Sequence, residues 1–208
     1  MCHYQPVTTG QYVYRSRSAR AMAIVVMALA ALALVNVATS GWRMTLQWGL
    51  IPLWLAYTTW GLFWWPSVRM DQQGVKVVNV LRSVQVAWSA IQRIDTRWSL
   101  TLFTPRGKVT AFAAPSPSNF KALQARPADL KGLPESTYVA GSIRPGDLPH
   151  SPSGHAALVV RQRWEALRDA DQLGTPEKAD VVSRWHWKGL AVWLALSVAG
   201  FALVRWAG

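Results

Sequence analysis

Four histidines and a single cysteine are the side chains most able to do chemistry in this chain of 208 residues. His3, His150, His155 and His186 never fall four residues apart, and Cys2 has no second cysteine to join it. A zinc site needs several such ligands at short, regular spacing, so no metal site is expected. The neighbours Cys2 and His3 would bind a metal only together with ligands from another molecule. Asp147, His150 and Ser151 contain the residue types of a hydrolytic triad. Adjacency in sequence is no evidence for a triad, which is assembled in space by the fold. Neither the phosphate-cradling pattern G-x-x-x-x-G-K-[ST] nor G-x-G-x-x-G occurs, so nucleotide binding has no support. The expectation is therefore no catalytic residue, no cofactor, no metal and no enzyme activity.

What remains is the chemistry of cations. Lys76, Arg82, Arg93, Arg97, Arg106 and Lys108 lie in a stretch of short strands and turns. Near an anionic membrane each basic side chain is attracted by about 1 kcal/mol. These six are the candidate contacts for anionic lipid or for a protein partner. The plainer reading of the same residues is a solvated face.

The elements that must position them follow from composition. The chain is 51% hydrophobic and only 15% charged, against about 25% charged in an average soluble domain. That excludes disorder, and one cysteine excludes a disulfide scaffold. Three runs hold most of the apolar residues: Ala21 to Thr39, Leu46 to Trp65 and Gly189 to Val204, all without charge. At ~1.5 Å per residue, a run of nineteen reaches about 28 Å, close to the ~30 Å of a hydrocarbon core. Ten of the thirteen Trp lie in these runs or at their borders, as interfacial anchors do. Ala191, Ala195 and Ala199 form a small-residue stripe on the third run, expected to pack against the hairpin of the same chain rather than to dimerise. Arg15, Arg17 and Arg20 before the first run also suit a signal peptide, but the run exceeds the ~7–15 residues of a signal core. A retained span is expected.

The net charge of +12 has two common meanings, nucleic-acid binding or membrane topology. Its distribution favours the second. Between the first two runs stands only Arg43, and after the third only Arg205. The other 20 of 22 basic residues fall where the positive-inside rule places the cytoplasm. The expected topology is N-terminus inside, two spans, a cytoplasmic domain, then a third span. Residues 66–188 hold all ten acids and 17 basic residues, a net +7. No basic cluster with interleaved aromatics marks a nucleic-acid surface.

From Val68 the pattern alternates. Val75 and Val77, Val84 and Val86, Ile94 and Thr96, Leu100 and Leu102, then Val109, Ala111 and Ala113 recur at period two. Such alternation reads as strands half buried on one face. Asp71 to Gly74, Leu81 to Ser83 and Thr104 to Gly107 supply turns. Trp88 and Trp98 are expected to fill the sheet core or cover its open end rather than form a ligand site. Residues 114 to 153 carry seven prolines and read as a linker, with a short helix at Phe120 to Gln124. His155 to Leu173 reads as an amphipathic helix with Ala156, Val160, Trp164 and Leu167 on one face.

The run Gly74-Val75-Lys76-Val77-Val78-Asn79, then Leu81-Arg82, then Val86-Ala87-Trp88-Ser89-Ala90-Ile91 resembles bacterial membrane proteins with a pleckstrin-homology-like (PH-like) domain. It is most similar to the actinobacterial group related to a low-molecular-weight mycobacterial protein antigen. That family's pattern has Pro where Ala87 stands. The resemblance implies a PH-like β domain and says little about activity. The first hairpin, the basic one in phosphoinositide-binding PH domains, is here Asp71-Gln72-Gln73-Gly74, so phosphoinositide recognition is not implied.

The expected fold class is an α+β membrane protein: three transmembrane helices plus a small antiparallel PH-like β domain with a helix. Its parts are a cytoplasmic tail (1–20), a two-helix hairpin (21–65), the β domain (66–114), a Pro-rich linker (115–153), an amphipathic helix (154–174), a second linker (175–188) and a third span (189–206). The expected location is the inner membrane, with the central domain cytoplasmic. Membrane lipids and a protein partner are the expected contacts, and nucleic acid is not.

Overall fold

The computed structural model describes residues 12–116, 137–139, 142–143, 145–148, 151–175 and 181–207. The chain divides into two compact units. One is helical: Ser16–Pro66, Val80–Arg82 and the segment from Trp185. The other carries the sheets: the residues up to Arg15, Ser67–Asn79 and Ser83–Arg184. Cys2 and His3, the helix expected at Phe120 to Gln124 and His150 lie outside the described residues.

Strand β1 (Tyr12–Tyr14) precedes helix α1 (Arg17–Thr39). Ser16 caps α1 by accepting the Ala19 amide, which satisfies one of the free donors at a helix start. At the other end the Thr39 and Ser40 hydroxyls both donate to the Asn36 carbonyl. Gly41 then turns the chain at φ +101, a conformation L side chains rarely adopt. Helices α2 (Trp42–Trp48) and α3 (Leu50–Thr59) follow, and α3 runs into a π-helical turn at Trp60–Trp64. Pro52 explains the first interruption, because it has no N–H for the Trp48 carbonyl one turn earlier. Ala23 and Ala30 are buried on α1, and α1 contacts α3.

The sheet unit begins with β2 (Ser67–Met70), β3 (Gly74–Val78) and β4 (Arg82–Ala87). A 3-10 turn at Trp88–Ala90 leads to β5 (Arg93–Asp95), β6 (Ser99–Thr104) and β7 (Gly107–Pro115). Two short strands, β8 (Tyr138–Val139) and β9 (Ser142–Ile143), pair with each other. Helix α4 (Pro152–Asp169), strand β10 (Val181–Trp185) and helix α5 (Trp187–Ala207) complete the described chain.

Within the helical unit, α3 and α5 are joined by two reciprocal hydrogen bonds. Trp54 on α3 donates its indole N–H to Ser197 on α5 at 2.9 Å, and Trp193 on α5 donates to Thr58 on α3 at 3.0 Å. Trp–hydroxyl pairs spaced four residues apart on each helix create this arrangement, because residues i and i+4 share a face. Ala191, Ala195 and Ala199 are exposed. The expected packing of that stripe against the other spans is corrected: the face carrying Trp193 and Ser197 meets α3 instead. Two described helices, α1 and the Trp187–Trp206 stretch of α5, are long and apolar enough to cross a membrane. The Leu46 to Trp65 run is helical, but divided among α2, α3 and the π-turn.

The strands form a five-stranded sheet, ordered β1-β2-β3-β4-β10, and a three-stranded sheet, β5-β6-β7. The registered pairs within them are antiparallel. The alternating residues of the sequence are the buried ones: Val75, Val77, Val84, Val86, Leu100, Leu102, Val109 and Ala111 all point into one core. Trp88 joins them and donates its indole N–H to the Asp71 carbonyl at 3.0 Å. Helix α4 closes the core with Ala156, Ala157 and Val160.

Asn79 links the two sheets. Its side-chain amide donates to the Thr110 carbonyl at 2.7 Å, and its carbonyl oxygen accepts the Phe112 amide at 2.8 Å. One side chain thus acts as a two-bond strand partner to the edge of β7. Strands β1 and β10 occupy segments expected as tail and linker. Tyr12 bonds His155 of α4 at 2.8 Å, and Tyr14 lies beside the same imidazole.

Replacing Asn79 by Ala leaves the Thr110 carbonyl and Phe112 amide without this partner, a loss of about 1–3 kcal/mol. Hydrogen exchange at the Phe112 amide should accelerate more than at the β2–β3 ladder; unchanged protection at Phe112 refutes the bridging role. Burial, and secondarily the neighbouring Tyr12, pushes the Tyr14 phenol from 10.0 up to about 12. The raised value stabilises the fold fully below the unfolded pKa, and this contribution is lost as pH rises through the folded one. Thermal melts between pH 10 and about 12 should therefore fall more steeply for the native chain than for Tyr14→Phe.

Candidate functional site

The register separates the six candidate basic residues into distinct places. Arg93 faces Phe103 across β5 and β6, and Phe103 faces Lys108 across β6 and β7. These three side chains form one outward row on the smaller sheet. The Arg93 guanidinium lies 4.1 Å from the Phe103 ring centroid, with an Asp95 carboxylate oxygen 3.9 Å away. Arg106, in the adjoining turn, donates to the Val181 carbonyl at 3.2 Å. Lys76 stands on the larger sheet between Arg69 and Gln85. Arg82 lies over Trp185, 6.0 Å from its ring centroid, in the helical unit. Arg97 is beside Trp98. Within the sheet unit, Arg93, Arg106 and Lys108 thus belong to the smaller sheet and its turn, Lys76 to the larger sheet, and Arg97 to the loop between β5 and β6.

The most structured of these places is the loop between β5 and β6. Trp98 at its tip is 80% exposed, which corrects the expectation that it fills the core or covers its open end. The Arg97 guanidinium lies 5.7 Å from the Trp98 ring centroid. Asp95 accepts the Arg97 amide at 3.1 Å, fixing the turn, and the Trp98 carbonyl accepts the Ser116 amide at 2.9 Å.

Beneath the tip is a buried polar network. Thr96 donates its hydroxyl to Asp147 at 2.6 Å. Arg161 on α4 bonds the same carboxylate oxygen at 2.5 Å and the Ile94 carbonyl at 3.3 Å. Asp147 is 3% exposed and Arg161 2%. The serines at the start of α4 complete it: Ser153 donates to the Gly146 carbonyl at 2.7 Å, and Ser151 caps the helix through the Gly154 amide at 2.8 Å. Gly146 has no room for a side chain, since a Cβ there would sit 2.0 Å from the Thr96 carbonyl oxygen.

This corrects the reading of residues 115–153 as a linker. Residues 117–136 lie outside the described residues, but Thr137, Asp147, Ser151 and Ser153 are buried. The signal that could have revealed them is Arg161, a charge within the apolar stripe of α4 beside Val160. A charge there must find an opposite charge, because burying it alone is costly.

The arrangement suits binding. A Trp with an adjacent Arg, held on a stiff base, has the composition of an interface hot spot. Asp147 faces Arg161 and Thr96, and Ser151 is engaged at the helix cap. These two triad residue types therefore serve structure.

A family model for the bacterial PH domain matches residues 65–148. The chain thus carries a PH-like domain of bacterial type, and the match runs past the expected boundary at Ala114 to the buried Asp147 segment. No curated protein and no solved structure matches the chain.

Arg161→Leu leaves the Asp147 carboxylate buried without its cation, a loss of about 3–5 kcal/mol. The melting temperature in detergent should fall markedly, and Asp147→Leu combined with Arg161→Leu should recover much of it. Trp98→Ala, at an exposed tip, should melt like the native chain. If Arg161→Leu melts unchanged, the network does not support the loop.

Proposed function

We propose that this chain is an integral membrane protein that presents a PH-like interaction or scaffold module at the cytoplasmic face, without catalysis of its own. The carrying observation is the join of two unlike parts. A sheet unit with one closed core is continuous in sequence with α1 and α5, of whose apolar side chains almost none is buried. Exposed apolar helices of that length find their solvent in a bilayer. The α2–α3 segment supplies a third span in this reading, since π-turns and proline breaks are tolerated where neighbouring helices satisfy the backbone. The charge distribution supports a cytoplasmic module. The actinobacterial relationship suggested by the Asn79 and Leu81-Arg82 pattern belongs to the same reading.

The Arg97–Trp98 tip is the proposed contact for a protein partner, and the basic residues of the sheets supply attraction to anionic lipid. A tip built for a partner also fits a second role, as accessory subunit of a membrane transport or envelope-biogenesis complex whose activity lies elsewhere.

Single cysteines on a Cys2→Ser background test the topology. A membrane-impermeant maleimide applied to intact cells should label Arg43→Cys and a cysteine added after the last residue. Trp98→Cys should react only after lysis. Labelling of Trp98→Cys in intact cells overturns the cytoplasmic placement.

A further inference from the structure

The turn between β3 and β4 belongs to the helical unit, not to the sheet unit that its flanking strands build. Its anchor is the residue just before α5. The His186 amide donates to the Leu81 carbonyl at 2.8 Å, and His186 Nδ1 lies 3.3 Å from the Val80 carbonyl oxygen. The His186 ring in turn meets Trp65 edge-on, 6.0 Å between centroids. Around this knot the side chains face outward. Leu81 is 52% exposed, and Trp185 and Trp187 are exposed and stacked on each other at 5.5 Å. The Arg82 guanidinium lies over Trp185.

Two facts about these groups point to the same occupant. The first is composition. An outward leucine, two stacked indoles and a guanidinium combine an apolar end with a polar one, as groups at a membrane–water interface do. The second is depth. The turn is hydrogen-bonded to the residue preceding α5, and exposed Val192 is already five residues into that helix, roughly 7.5 Å along its axis. If α5 crosses a bilayer, its first turn lies at headgroup level, and a turn bonded there lies at that level too.

We infer that Val80–Arg82 is a lipid-embedded anchor: Leu81 enters the boundary between headgroups and acyl chains, and Arg82 meets lipid phosphates. This rests on the membrane-spanning reading of α5 and adds a fourth point of insertion made by a β-turn. The occupant is the lipid of the membrane in which the chain sits.

The test uses the full chain on a Cys2→Ser background, reconstituted in vesicles of zwitterionic and anionic phosphatidyl lipids. Spin labels are placed singly at Leu81→Cys, Val198→Cys and Gln72→Cys. Electron paramagnetic resonance then compares collision with oxygen, which concentrates in lipid, and with a water-soluble nickel chelate. The Leu81 label should show an oxygen-to-nickel ratio several-fold above that of Gln72, in the turn at the other end of β3, and below that of Val198 in the middle of α5. A Leu81 label as open to nickel as Gln72, with Val198 deep in lipid, overturns the anchor and leaves the spanning reading intact. A Val198 label open to nickel overturns the spanning reading and the anchor with it.

Discussion

The contact on which the sheet unit depends is the ion pair of Arg161 and Asp147. It holds three segments far apart in sequence: the β5–β6 loop through Thr96 and Ile94, the Pro145–Asp147 turn, and helix α4. Two charges in a dry core gain little net stability over an apolar pair, because each loses its water. What they impose is geometry. Any arrangement that separates them leaves a bare charge inside, so only packings that keep them together are open to the chain. The Arg97–Trp98 tip inherits that restriction on one side, since it follows directly on Thr96, whose hydroxyl donates to Asp147. A hot spot binds better when its side chains are held in the bound geometry beforehand.

The same rule operates in the helical unit with neutral groups. An indole N–H and a hydroxyl in apolar surroundings must find partners, and Trp54, Thr58, Trp193 and Ser197 find them in each other. The Ser197 hydroxyl also donates back to the Trp193 carbonyl at 2.8 Å, so the pairing is part of a chain of bonds. Polar side chains that look foreign to an apolar run therefore identify which faces of α3 and α5 meet. The alanine stripe, which has no polar demand to satisfy, is left facing outward.

Features governed by local rules could be read from the sequence. Period-two alternation named the buried faces of β3, β4, β6 and β7, because a strand exposes alternate residues whatever its surroundings. Asn79 stood out as the end of a strand pattern, though its two bonds to β7 could not be foreseen from residues 31 and 33 positions away. Long-range demands escaped in the same way. The Pro145–Asp147 segment looked like linker because its prolines and glycine are turn residues, while the arginine that buries it lies 14 positions on. Trp98 escapes as well, because the Asp95 carboxylate that accepts the Arg97 amide forms a turn that directs the chain outward. Strands β1 and β10 are short and paired at the sheet margins, where packing selects them more than propensity does.

The division of the basic residues bears on how the module would bind. Arg93 is stacked on Phe103, Arg97 lies beside Trp98, and Arg106 is bonded to backbone. Guanidinium groups held on rings or carbonyls keep their charge but give up freedom to close around a single small anion. Spread along a strand row and its turn, such groups would attract an anionic partner diffusely, and salt screens such attraction within about 8–10 Å. Diffuse charge of this kind raises encounter rates more than it selects partners. Selection then falls to the groups with fixed shape, and the sheet unit offers one such group in the open: the indole of Trp98 on its buried ionic base.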